Sequence, residues 1–441
     1  MDLRSLPARA LSLAVLLGGC GDDEPAARET VEVASMPASA GAKLDVAMVV
    51  DDSSGTLYVQ NALADHLYAV LEPLDTAAGG ALDLHVGVTT SDYGTTALAD
   101  PANPAPQVGT PGNGGCDGAG RDGALRVSGA PVTDAYLVDG PTKNYTGTRR
   151  DALGQMVRVG TSGCAFEQPL AASARLFTNP ANAGFRRPDA NLLVLFVQNE
   201  DDCSVADASL FFRPESPTLG PLSSIRCTRF GVKCDEPMAD IGPKTNCHAS
   251  LGSQYIADVA PFVAQYRALV PDPARLVVGV IAAPAEPVAI EERKQGASLV
   301  PALVHSCEWK APDDNVTTGD PAVRMQSLVE EAGVHGSMTT VCSADLGPSF
   351  TELARVAKQM FGVACLDTAT LAAPLACTAK LVTDGIEAPL PACPASGACF
   401  ELLSDPVACP ERAGHTRLVV HDAPAGAYIR ASCELPSYEP T

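Results

Sequence analysis

The turn Asp51-Asp52-Ser53-Ser54-Gly55-Thr56 is where this chain is most informative about chemistry. It follows an apolar run and precedes a stretch with helical spacing. A carboxylate and two hydroxyls in a tight turn suit a hard divalent cation, which takes oxygen ligands and tolerates retained waters. Without a metal, the same turn serves as a helix start, with Ser53 or Ser54 as the N-cap. Elsewhere the signals are sparse. The seven histidines are scattered, and none makes a metal-ligand spacing such as His-Glu-x-x-His. Gly160-Thr161-Ser162-Gly163-Cys164 lacks the spacing of a nucleophile elbow, and no phosphate loop is present. The expectation is therefore a binding protein and not an enzyme. A hydrolase hidden in the insertions is the weakest alternative.

The elements needed to position that turn are readable. Leu44 to Asp51 is a nearly continuous apolar run, as expected for a strand buried on both faces of a parallel sheet. Leu63, Leu67, Val70 and Leu74 then recur at helical spacing, with Pro73 marking the stop. Further strands are expected at Leu82–Val88, Asn191–Asn199 and Leu276–Ala282, and a late helix carries Phe350, Leu353, Val356 and Met360 on one face. Strands alternating with helices point to an α/β fold with a doubly wound, mostly parallel sheet. Ligands of such sheets bind outside the carboxyl ends of the strands, where the turn at Asp51 lies.

The start of the chain reads as an export signal. Arg4 and Arg9 precede an apolar run from Leu11 to Leu17, too short for the roughly 20 residues of a spanning helix. Leu17-Gly18-Gly19-Cys20 resembles the lipobox of bacterial lipoproteins, in which the cysteine is lipidated. Residues 1–19 are thus expected to be a signal peptide and 20–42, rich in Ala, Glu, Asp and Pro, a flexible tether. Net charge is −22, which disfavours nucleic acid and leaves the lipid as the only membrane contact. Of 15 cysteines, Cys20 apart, the remainder is even in number and lacks Cys-x-x-Cys pairs, the arithmetic of disulfides in an exported chain. By position they group as Cys116 with Cys164; Cys203, Cys227, Cys234 and Cys247; Cys307 with Cys342; and Cys365, Cys377, Cys393, Cys399, Cys409 and Cys433. Pairing is expected to stay inside these groups, while connectivity within each is left open.

The turn at Asp51 resembles the Asp-x-Ser-x-Ser motif of von Willebrand factor type A (VWA) domains, the core of their metal-ion-dependent adhesion site. The likeness extends to bacterial surface lipoproteins carrying this domain. It runs through Val159–Ser173, Asn182–Ser204 with its Glu200-Asp201-Asp202-Cys203 signature, Ser224–Pro237 and Ser337–Ala354. The resemblance implies a VWA-type doubly wound sheet flanked by helices over residues 43–363. From the residues themselves, disulfide-stapled insertions are expected at about 101–146 and 203–252, and the six cysteines from Cys365 to Cys433 point to a small Cys-rich β module over 364–441. The resemblance also implies a metal site of Asp51, Ser53, Thr161 and Asn199, with Asp52, Ser54, Thr56 and Asp201 as alternates, holding Mg2+ or Ca2+. Gly55 stands where the second serine belongs and Asn199 where an aspartate belongs, so the site is degenerate. The expected function is a lipid-anchored protein of the cell envelope, outer membrane or cell surface, that binds a protein or other surface macromolecule. The alternative is a structural envelope protein with no ligand at that edge.

Overall fold

A computed structural model describes residues 28–34, 41–295, 298–310, 316–343, 345–367, 377–424 and 426–435. The export signal and Cys20 lie outside the described residues. The central element is a six-stranded sheet in the order β14-β9-β5-β2-β3-β4. Its strands are β2 (Lys43–Val50), β3 (Asp83–Thr90), β4 (Leu137–Asp139), β5 (Asn191–Val197), β9 (Leu276–Ala282) and β14 (Gly336–Thr340). The first five in that order pair in parallel, and β4 runs antiparallel to β3. Alternate residues of β2 feed two cores. Leu44, Val46, Met48 and Val50 pack with α1 (Leu57–Ala77), α2 (Arg149–Met156) and α7 (Gly347–Ala357). Ala47 and Val49 pack with α3 (Pro169–Leu176), α5 (Ala260–Ala268) and α6 (Val323–Ala332). A strand lined on both sides has no polar face, which is why it reads as one apolar run. The α1 helix continues a turn past Pro73 instead of stopping there.

The remaining five sheets are antiparallel throughout. They are β10 (Val288–Gln295) with β11 (Ser298–Leu303) and β7 (Gly242–Lys244); β12 (Cys307–Lys310) with β13 (Val316–Gly319); and β6 (Val232–Lys233) with β8 (His248–Ala249), beside α4 (Ile225–Gly231). In the C-terminal part, β15 (Ala364–Leu366), β18 (Cys399–Ser404) and β19 (Thr416–His421) form one sheet. The other comprises β1 (Arg28–Ala34), β16 (Cys377–Thr383), β17 (Ile386–Leu390) and β20 (Tyr428–Glu434). The expected fold class, a VWA-type doubly wound and mostly parallel sheet, is thereby corrected. The chain is a mixed α/β protein with many short antiparallel sheets and only 24% helix. Outside the C-terminal region, where a β module was expected, the short strands escaped the sequence reading because their faces are partly polar and no long apolar run announces them.

The expected tether is corrected in part. Residues 28–34 form β1, whose Val31 and Val33 are buried against Ile429 and Ala431 of β20. Its Glu32 is buried too. Burial pushes that carboxyl up, but hydrogen bonds from His335 (2.9 Å) and Arg430 (2.7 Å) outweigh it and hold Glu32 below its ordinary value. Seven disulfides staple the fold: Cys116–Cys164, Cys203–Cys227, Cys234–Cys247, Cys307–Cys342, Cys365–Cys409, Cys377–Cys433 and Cys393–Cys399. Every pair stays within its positional group.

Candidate functional site

Parallel pairing aligns the carboxyl ends of β2, β3 and β5, so the residues just beyond them share one edge. The Asp51 N–H donates to Val197 O (3.0 Å) and the Ser91 N–H to Val50 O (3.3 Å), which sets both residues at that edge beside Asn199. Asp51 Oδ1 accepts from the Ser53 N–H at 2.8 Å, closing the turn on itself. Gln60, one turn into α1, donates through Nε2 to Asp51 O (2.9 Å) and Gly160 O (2.6 Å), joining this turn to the loop before α3. That loop carries Glu167, fixed from both sides: its carbonyl accepts from the Cys203 N–H (2.8 Å), and the next residue, Gln168, donates its N–H to Ser91 O (2.9 Å).

The arrangement leaves oxygens unsatisfied. Asp51 Oδ2, Ser53 Oγ, Glu167 Oε1 and Asn199 Oδ1 are buried and make no well-formed hydrogen bond. Asp51, Ser53 and Glu167 are 1%, 3% and 2% exposed, so bulk solvent does not reach these oxygens. A buried acceptor without a donor is costly, and a buried ionised carboxylate more so. The titration of the groups reflects this. Burial raises Asp51, against opposing hydrogen bonds from Ser53, the Asn199 backbone and Ser91. Burial, then the neighbouring Glu200 and Asp51, hold Glu167 well above the carboxylate range. Burial, then Asp320 and Asp51, push Glu200 up to about 8. A cavity of about 10 Å³, the size of one water or ion, lies between Glu167, Glu200, Asp320 and Ser224. Among the described residues no three or more His, Cys, Asp or Glu side chains are grouped to hold a metal ion. The set at Asp51 instead combines two carboxylates, a hydroxyl and an amide oxygen, all of them oxygen donors.

The residues expected at the site divide. Asp51, Ser53 and Asn199 come together, whereas Thr161 lies exposed on its loop, as does Ser54. Thr56 is buried, donating to Ser53 O (2.8 Å), and it precedes α1 without a side-chain cap, so neither Ser53 nor Ser54 caps that helix. Asp52 Oδ1 is likewise buried without a hydrogen-bond partner, but its carboxylate faces Thr90, Asp92 and Arg121, where burial, then Asp92 and Asp51, raise it to about 7. Asp201 is committed elsewhere: its carboxylate accepts the Arg324 and Met325 N–H groups at 3.0 and 3.1 Å, closing the start of α6. Asp202 accepts from the Leu170 N–H at the start of α3 and pairs with buried Arg324 at 2.8 Å. The acidic run at 200–202 therefore mostly ties helices to the sheet edge. Glu167 and Ser91 were missed, since each is a single residue in a stretch read only as helix or strand end. The glutamate directly before Gln168-Pro169, at a helix start, was the available signal.

No family model matches the chain, and no curated protein matches it. Among solved structures it is similar to the pilus adhesin SpaC from Lactobacillus rhamnosus GG, at 10% identity over 94% of this chain and 44% of that one, with a TM-score of 0.30. It is also similar to proximal thread matrix protein 1 from the mussel byssus, at 9% identity over 75% of this chain and 51% of that one, TM-score 0.29. The pilus adhesin RrgA from Streptococcus pneumoniae gives 9% identity over 93% and 58%, TM-score 0.22. The chain thus spans about half the length of these structures. Bacterial pilus adhesins recur among them, but likenesses this loose establish neither a shared fold nor a shared activity.

Proposed function

We propose that this chain is an exported, non-enzymatic surface protein, lipid-anchored through Cys20, that binds a macromolecular partner at the carboxyl edge of its six-stranded sheet by way of a divalent cation. One observation carries the reading: Asp51 Oδ2, Ser53 Oγ, Glu167 Oε1 and Asn199 Oδ1 are buried without a well-formed hydrogen bond, in a cluster of buried carboxyls. A Mg2+ or Ca2+ ion would satisfy those oxygens and offset the repulsion, fixing the loops at that edge in the arrangement the partner meets. Seven disulfides support an exported chain, and among the described residues no helix is long and apolar enough to cross a membrane. The recurrence of pilus adhesins among the structural likenesses agrees with a surface role without arguing for it.

The test is calorimetric titration of Mg2+, Mn2+ and Ca2+ into the oxidised mature chain. Asp51→Ala and Glu167→Ala are expected to abolish binding and Thr161→Ala to leave it unchanged. A wild-type chain that binds none of the three ions would overturn the reading in favour of a structural envelope protein.

A further inference from the structure

A recess of about 670 Å³, within the size range of ligand pockets, lies between α1, α7 and the loop that joins β18 to β19. Its residue Glu72 stands roughly 22 Å along α1 from Leu57, so the recess is remote from the turn at Asp51. The recess is preformed. Asp405 accepts the Ala408 N–H (2.9 Å) and pairs with Arg417 (3.0 Å). Buried Lys358 reaches Ala408 O and Glu411 through Nζ, each at 2.7 Å. The Cys365–Cys409 disulfide anchors the same loop. A wall held this firmly has little left to order when a ligand binds.

Its walls are small and apolar, and its uncommitted polar groups are acceptors. Ala69, Pro73 and Ala77 along α1 and Ala354 on α7 keep the walls low, and Val407 on the rim is 79% exposed. Between Ala69 and Ala77 the helix rises roughly 12 Å, the length of three to four extended residues. Five charged side chains line the groove, and four of them pair off as Lys358–Glu411 and Arg417–Asp405. The fifth, Glu72, is exposed and has no side-chain partner among the described residues. The lining is left with one uncompensated negative charge, on a chain whose net charge is −22. Thr76 and Thr351 each donate to a carbonyl one turn back (Glu72 O at 3.3 Å, Gly347 O at 3.0 Å), and each hydroxyl oxygen remains able to accept.

We infer that this groove takes a short, extended basic peptide of a partner protein. One lysine or arginine sits on Glu72, small apolar side chains rest against Ala69, Pro73 and Val407, and backbone N–H groups donate to Thr76 and Thr351. Charge complementarity selects the class. An acidic segment would meet the uncompensated carboxylate while both lining cations are already paired, and a neutral apolar one would cover Glu72 without a partner. A lysine stem covers apolar wall while its ammonium reaches the carboxylate. The inference is independent of the cation reading, since none of these residues belongs to the edge at Asp51.

The experiment applies the oxidised mature chain, in EDTA and at physiological ionic strength, to three pools of bead-bound hexapeptides. The pools share random Ala, Val and Pro flanks and differ only in a central Lys or Arg, Asp or Glu, or Ser or Gln. Retained peptides are then measured by fluorescence polarisation. The expected result is retention of the basic pool, a weakening of ~10-fold in Glu72→Gln, and a switch to the acidic pool in Glu72→Lys, a gain that an unfolded variant would not show. Ala69→Trp lies at an exposed helix position, keeps the net charge and fills the groove, and is expected to abolish retention. Retention of no pool, or preference of the wild-type chain for the acidic or neutral pool, would overturn the inference. So would retention of the basic pool that Ala69→Trp leaves intact, because the attraction would then belong to the overall negative charge of the chain.

Discussion

Glu200→Gln isolates the electrostatic frustration of the candidate site. Glu200 follows Asn199 at the end of β5, and burial, then Asp320 and Asp51, push its carboxyl from an ordinary 4.5 to about 8. A carboxyl whose pKa is higher folded than unfolded keeps its proton longer in the folded chain. Its contribution to stability is then fully present below about 4.5 and is lost as pH rises through about 8. At about 1.4 kcal/mol for each tenfold change in proton affinity, the full displacement would amount to about 5 kcal/mol. Glu200 is only partly buried, and solvent screening brings the expected effect to roughly 2 kcal/mol. The substitution should therefore stabilise the cation-free chain by about 2 kcal/mol near pH 8.5 and change little near pH 4, where Glu200 is largely protonated both folded and unfolded. Urea unfolding in EDTA, with disulfides intact and followed by near-ultraviolet circular dichroism, reads this directly. Asp52 and Asp201, each raised to about 7 by burial, act with the same sign, so the variant should retain a shallower decline between about pH 4 and 7. A variant equally destabilised at both pH values would refute the reasoning, because Glu200 would then be a satisfied structural carboxylate and not a repelled one.

Two further outcomes follow from the same contacts. Arg324→Met leaves Asp202 without its buried partner and should destabilise the chain by about 3–5 kcal/mol. The double variant with Asp202→Ala should recover part of that loss, and a single-variant loss below about 1 kcal/mol in urea melts would contradict the assigned role. Asn199→Asp adds a third carboxylate to the orphaned set. It should tighten Ca2+ binding by ~10-fold while lowering cation-free stability at pH 8, and unchanged calorimetric affinity would place Asn199 outside the site.

What the sequence disclosed depended on how locally each feature is encoded. Buried strands such as Leu44–Val50 and Asn191–Val197 announce themselves because both faces are covered, and the cysteine grouping was legible because the disulfides close over short separations in the chain. The antiparallel hairpins at 288–319 were not legible. Their faces are half solvated, their pairing is specified by turns and by Cys307–Cys342, and neither gives a periodic apolar signal. Strand β1 was hidden for a related reason. Val31 and Val33 alternate over too few residues to stand out from an Ala- and Glu-rich stretch, and their partners lie some 400 positions later, at Ile429 and Ala431.

The site shows the same division more sharply. Asp51 and Ser53 could be read because turn chemistry is local to a strand end. Glu167 could not, since what makes it a candidate ligand is the absence of a partner, and a missing hydrogen bond is a property of the fold. The carboxylates of Asp201 and Asp202 look equally suited to a cation in sequence, yet the backbone N–H groups of α3 and α6 and the Arg324 guanidinium already saturate them. Oxygen type alone therefore does not distinguish a ligand from a cap; unsatisfied valence does. On that criterion Asp51, Asp52 and Glu167 are the carboxylates left with unsatisfied oxygens, whereas Asp201 and Asp202 are structural.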